Sequence, residues 1–149
     1  MIIIRKSILL KILLSSLLVF ISAGTSIAGD LHVSISGVRN QVGKVRVALF
    51  KSPEEFLKKE GRFVEVVISA ATASKEAVFF RIPDDIYGLA AFHDENDNLE
   101  FDKNFVGLPL EGFGFGNDAP VFFGAPDFTN AAVKVSGGKT HVHLKLRYW

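Results

Sequence analysis

Two stretches far apart in the chain alternate strictly between apolar and polar residues. Leu31-His32-Val33-Ser34-Ile35-Ser36 does so, and 140–148 repeats it with Val142, Leu144 and Leu146 one way and His141, His143, Lys145 and Arg147 the other. A period of two is the pattern of a half-buried strand and does not put one face of a helix into a core. Between them, Lys44–Phe50 carries Val45, Val47 and Leu49 on one face, 63–70 reads as a further strand, and 76–82 aligns Val78, Phe80 and Ile82. Residues 87–92 are nearly all apolar, as expected of a central strand covered on both faces. Residues 131–135 lead through Gly137-Gly138 into the last stretch, which predicts a closing hairpin. A short helix is expected from Ser52, a capping residue, followed by Pro53 and Glu55, with Phe56 and Leu57 plugging one end of a sheet and Gly61 ending the turn. The pattern predicts an all-β fold, an antiparallel seven-stranded β-sandwich with one short helix; an up-and-down barrel is the alternative.

The first 28 residues read as an export signal. Arg5, Lys6 and Lys11 precede an apolar core at 12–21, and Ser26-Ile27-Ala28 offers the small residues of a cleavage site. A membrane anchor would need about twenty uninterrupted apolar residues, and Ser15-Ser16 break this run. The expected mature chain, 29–149, is a single domain without a transmembrane span, periplasmic or secreted. With no cysteine, neither a lipid anchor on cysteine nor a disulfide is available. Removing the signal takes three of 17 basic residues and none of 16 acidic ones, leaving fourteen against sixteen. A slightly acidic domain of this kind does not suit nucleic acid, whose binding leans on many Lys and Arg contacts.

Residues 92–128 form a connection too long for a small domain unless it has a function. Asp94, Asn96 and Asn98 occupy positions one, three and five of a calcium-loop pattern, with the Glu100 carbonyl at seven and Asp102 at nine. Leu99 stands where such loops need glycine and Phe105 where they need a bidentate Glu, so calcium would bind weakly, with a dissociation constant on the order of 10⁻⁴ to 10⁻³ M. The same side chains are also ordinary turn formers. Further on, Glu111, Phe113, Phe115, Asn117 and Asp118 alternate with glycine. They read either as a ligand or partner surface, with flat rings and polar anchors, or as a lid whose rings fold onto the core. No helix pattern follows these glycines to receive a phosphate.

His32, His141 and His143 share polar parity on the first and last strands, and adjacent strands would gather them into a zinc or copper set. The chain has no cysteine nucleophile and no serine in a G-x-S-x-G setting, and Asp94 beside His93 has no evident nucleophile to activate.

The run from Tyr87 through His93-Asp94-Glu95-Asn96, followed by Asp102, Asn104-Phe105, Gly107, Pro109 and Glu111-Gly112-Phe113-Gly114-Phe115, resembles the bacterial "domain of unknown function 2141" family. Those exported proteins carry a tyrosine-initiated strand, an HDEN-G-N box and a GYGFSN-like turn. Here Asp97 and Leu99 stand where the family box usually has glycine, and Gly116 where the later box usually has serine. The resemblance implies a small extracytoplasmic β-sandwich similar to transthyretin-like, prealbumin-type modules, and brings no established activity. The function expected is therefore that of an exported, non-enzymatic β-sandwich. Its 92–128 loop would meet a small ligand or an envelope protein, and calcium would order that loop. The alternative is a small metal-handling protein or enzyme using His32, His141 and His143.

Overall fold

The computed structural model describes residues 28–72 and 75–149. The expected export signal, apart from Ala28, lies outside the described residues. Eight strands follow one another: β1 (Ala28–Ser36), β2 (Lys44–Phe50), β3 (Arg62–Ser69), β4 (Glu76–Pro83), β5 (Asp85–Asp94), β6 (Gly112–Phe115), β7 (Ala132–Val135) and β8 (Gly138–Lys145). They form a three-stranded sheet in the order β4-β1-β8 and a five-stranded sheet in the order β3-β2-β5-β6, with β7 also on β5.

The alternation in sequence becomes the two-layer core. Leu31, Val33 and Ile35 of β1 face Val45, Val47 and Leu49 of β2 and Tyr87, Leu89 and Ala91 of β5, all buried in one cluster. Burying such side chains stabilises a fold by about 1.5–3 kcal/mol each. Tyr87 is fully enclosed, and its hydroxyl donates to the Pro83 carbonyl at 2.7 Å, so no polar atom is stranded there. β5 is the axis of the larger sheet. β2 runs along one of its edges, while β7 covers the first half of the other edge and β6 the second half.

Four expectations are corrected. The described residues form eight strands rather than seven, because the glycine–aromatic run forms β6. The pairing is not wholly antiparallel, since β1 and β8 run parallel, with His32 opposite His141 and Val33 opposite Val142. Gly137-Gly138 does not close a hairpin: both glycines have positive φ, 47° and 65°, and together they pass the chain from one sheet to the other. The short helix does not form. The 52–58 segment makes i to i+3 bonds such as Phe56 N–H to the Pro53 carbonyl, 3.3 Å, and Leu57 turns left-handed at φ 63°. A helix that short gains little by itself, whereas the bent chain sets Phe56 edge-on to Phe50 and Phe128 at 5.4 and 5.7 Å.

The face of β4 also differs from expectation. Ala77, Phe79 and Ile82 point inward and Phe80 is 71% exposed, because a bulge at Phe80-Arg81 inserts a residue opposite Asp30. Arg81 adopts φ 51°, and its N–H donates to Asp30 Oδ1 at 2.9 Å.

Candidate functional site

The end of β5 enters the long connection through Asp94, a fully buried carboxylate. Arg46 of β2 donates through Nε to Asp94 Oδ2 at 2.7 Å, and the N–H groups of Asn98 and Leu99 donate to the same carboxylate at 3.0 and 3.1 Å. Arg46 also lies 3.4 Å from Glu65 and 3.3 Å from Asp97. Burial works against its charge, but the Asp94 hydrogen bond and the three neighbouring carboxylates prevail and hold the guanidinium above its ordinary value.

The rest of the acidic loop closes on itself. Asn96 Nδ2 donates to Asp102 at 2.7 Å, Asn98 Nδ2 to both Asp102 oxygens at 3.0 and 3.1 Å, and the Glu100 N–H to Asn98 Oδ1 at 2.9 Å. Glu111 braces both ends of this loop, one oxygen accepting from the Glu95 N–H at 3.0 Å and the other from the Asp102 N–H at 3.1 Å. Burial raises the Glu111 carboxyl above its usual value; these two hydrogen bonds pull the other way without cancelling the shift, and the charges of Asp102 and Asp94 add to it.

A second polar lock lies beneath. His93 is fully buried, with Nε2 at 2.6 Å from the Val42 carbonyl and Nδ1 at 2.8 Å from the Tyr148 hydroxyl. A carbonyl can only accept, so Nε2 carries the proton and the Tyr148 hydroxyl donates to Nδ1. Tyr148 in turn lies under the Arg39 guanidinium at 4.5 Å and accepts from the Arg39 N–H at 3.2 Å. His93 therefore acts as a strut rather than as a partner for Asp94.

The glycines of β6 are explained by what lies inside them. A Cβ at Gly114 would sit 2.6 Å from the Lys145 carbonyl oxygen, and one at Gly112 would fall on the Tyr148 ring. With glycine inward, Phe113 and Phe115 point to the outer face of the five-stranded sheet, where they join Ala48, Phe50 and Ala90 in a second cluster. Asn117 and Asp118 are tethers: Asn117 Nδ2 donates to the Ala132 carbonyl at 2.8 Å, and Asp118 Oδ1 accepts from the Lys145 N–H at 3.0 Å.

Over this second cluster the sheet is not fully covered. A cleft of about 180 Å³ has Ala48 and Ala90 among its lining residues. It shares Phe101, Lys103, Phe113, Phe115 and Ala125 with a neighbouring cleft of about 460 Å³ that reaches Phe122, Phe123 and Trp149. The outer rim is unusually apolar, with Phe122 74% and Phe123 108% exposed. The Lys103 ammonium stands 5.6 Å over the Phe101 ring and makes no ion pair among the described residues. Of these lining residues, the sequence reading singled out Phe113 and Phe115. Phe101, Lys103 and Trp149 were missed. The small side chains of Ala48 and Ala90, which face each other on adjacent strands, were the available signal, because small side chains leave room above a sheet.

On the other sheet, His32 and His141 are brought together as adjacent pairs of β1 and β8, and His143 stands opposite Ser34 with its Nε2 2.9 Å from Ser36 Oγ.

No curated protein and no solved structure matches the chain. Residues 33–143, which take in β2 to β7, the second part of β1 and most of β8, match the family described as an uncharacterized protein conserved in bacteria, DUF2141, and the chain belongs to that family.

Proposed function

We propose that the protein is an exported binding module that holds a small amphiphile, an apolar chain with an anionic head, in the groove outside the five-stranded sheet. The observation that carries this reading is the pair of adjoining clefts walled by Phe101, Phe113 and Phe115. The larger cleft has the volume and apolar lining of a small-molecule site. Lys103, at the wall common to both, supplies a cation for the head group, and Phe122 and Phe123 lie where the chain would enter. Calcium is not needed for this reading. Asp94 is spent on Arg46 and on two backbone N–H groups, Asn96 Oδ1 and Asn98 Oδ1 accept from the Asn98 and Glu100 N–H groups, and Asp102 accepts from both side-chain amides, so a cation would have to displace these bonds.

Trp149 lines the larger cleft and is the chain's only tryptophan, so its fluorescence reports on the groove directly. Titration with dodecanoate below its micellar range should shift the emission to the blue and saturate. Dodecyl maltoside, with the same chain and a neutral head, should bind more weakly, and Lys103→Ala should remove that difference. An emission unmoved by dodecanoate, or moved equally in a Phe122→Ser/Phe123→Ser variant, would reject the proposal and leave a protein partner as the occupant to seek.

A further inference from the structure

The outer face of the three-stranded sheet lies on the opposite side of the molecule's core from the groove and carries a different chemistry. β1 is its middle strand, with β4 on one side and β8 on the other. His32 projects from β1, His141 from the register position beside it on β8, and Glu76 from β4, where it pairs with Ser34. The two imidazoles stack with centroids 4.8 Å apart and planes 26° from parallel. His32 Nδ1 lies 3.3 Å from Glu76 Oε1. Its other nitrogen, Nε2, is buried and has no hydrogen-bond partner among the described residues. A histidine placed only to bond Glu76 would leave that nitrogen uncompensated, and unpaired buried polar atoms are uncommon.

We propose that His32, His141 and Glu76 hold a divalent transition-metal ion, zinc or copper. One potential ligand atom from each lies within 4.8 Å of the others. Two ligand atoms on one ion at ordinary bond lengths are at most about 4.2 Å apart. The farthest pair therefore closes by a small rotation of the exposed Glu76 and His141 side chains. Two imidazoles and one carboxylate suit zinc or copper rather than calcium or magnesium, which favour all-oxygen sets. Three protein ligands leave a position open for water or for a further ligand. The three come from three adjacent strands, so the sheet itself fixes their spacing, and β1 supplies the least mobile of them. His143 is not part of the set: it is engaged with Ser36 and lies 3.9 Å from Asp118. The site stands independently of the amphiphile groove.

The test is titration of metal-free protein with zinc, followed by calorimetry and by thermal melting, and with copper(II), followed by electron paramagnetic resonance. Zinc should raise the melting temperature in a saturable way, because it binds the folded state. Copper should show two nitrogen ligands. His141→Ala and Glu76→Gln, both at exposed positions, should each weaken zinc by about tenfold or more, an order of magnitude in the dissociation constant. His141→Ala should also reduce the copper signal to one nitrogen, whereas His143→Ala should leave both metals unaffected. No binding of either metal at millimolar concentration, equal affinity in His141→Ala, or loss confined to His143→Ala would each overturn the assignment.

Discussion

Arg46 Nε meets Asp94 Oδ2 at 2.7 Å with both side chains out of water, 8% and 0% exposed. The pair ties the middle of β2 to the last residue of β5, and Asp94 extends the tie to the loop through the Asn98 and Leu99 N–H groups. Removing one member of such a pair strands the other. Asp94→Ala should therefore cost about 3–5 kcal/mol, and Asp94→Asn less, since an amide oxygen still accepts one bond. Urea denaturation of the two variants measures the difference. Equal and small losses would mean that Glu65 and Asp97 carry Arg46 without Asp94.

Phe79 is 1% exposed and Phe80 71%. Truncating the first to Ala should cost about 3–5 kcal/mol, and truncating the second within about 0.5 kcal/mol of nothing, as for an exposed surface residue. Denaturant midpoints of the two variants decide it, and a large loss at Phe80 would remove the bulge at Arg81.

That reversal shows where the sequence was readable and where it was not. β2 was legible to the residue, because Val45, Val47 and Leu49 alternate without interruption and meet an unbroken partner. In β4, Val78, Phe80 and Ile82 alternate equally well, but Arg81 takes a left-handed turn that only the Asp30 contact explains. β6 was hidden for a related reason. Glycine carries no burial signal of its own, and the need for it at Gly114 comes from the Lys145 carbonyl, distant in sequence. At the loop, the spacing of Asp94, Asn96 and Asn98 was visible, but Arg46 was not, and it is Arg46 that gives Asp94 a structural partner.

The loop carboxylates carry opposite pH signatures. Burial raises Glu111 above 4.5, so its contribution to stability is full below that value and is lost as pH rises through the folded value. Burial also acts to raise Glu95, but hydrogen bonds from Asn40 and Arg39 overcome it and lower the group. The Glu95 contribution is therefore present above its unfolded value and is lost as pH falls through the folded one. Between about pH 4 and about pH 7, the stability of the parent minus that of Glu111→Gln should fall. Denaturation curves at stepped pH give both differences, and that for Glu95→Gln should rise over the acid part of the range. A Glu111 difference that stays flat would place its proton elsewhere.

Leu99 sits at φ 71° with half its surface in water, where the family pattern usually has glycine. A left-handed backbone costs a residue with a Cβ roughly 1–2 kcal/mol, and glycine's freedom in the unfolded chain returns part of that, about 0.5–1 kcal/mol. Leu99→Gly should raise stability by up to about 1 kcal/mol. Thermal melting of the variant checks the sign, and a fall would mean that the leucine side chain holds the loop in place.

The parallel seam between β1 and β8 has a consequence for how the chain is made. Its register joins Gly29 to Gly138 and Ser36 to Lys145, so neighbours in this sheet are synthesised about a hundred residues apart. β1 can find β4 earlier, but its second edge stays open until residue 145 has emerged. Until then an amphipathic strand waits with unpaired backbone groups, a state that invites pairing with other chains. Contacts this remote in sequence also slow folding, because a long loop must close before they form. β8 thus sets the moment at which this sheet closes, and anything that delays it lengthens the time for which a chaperone has a substrate.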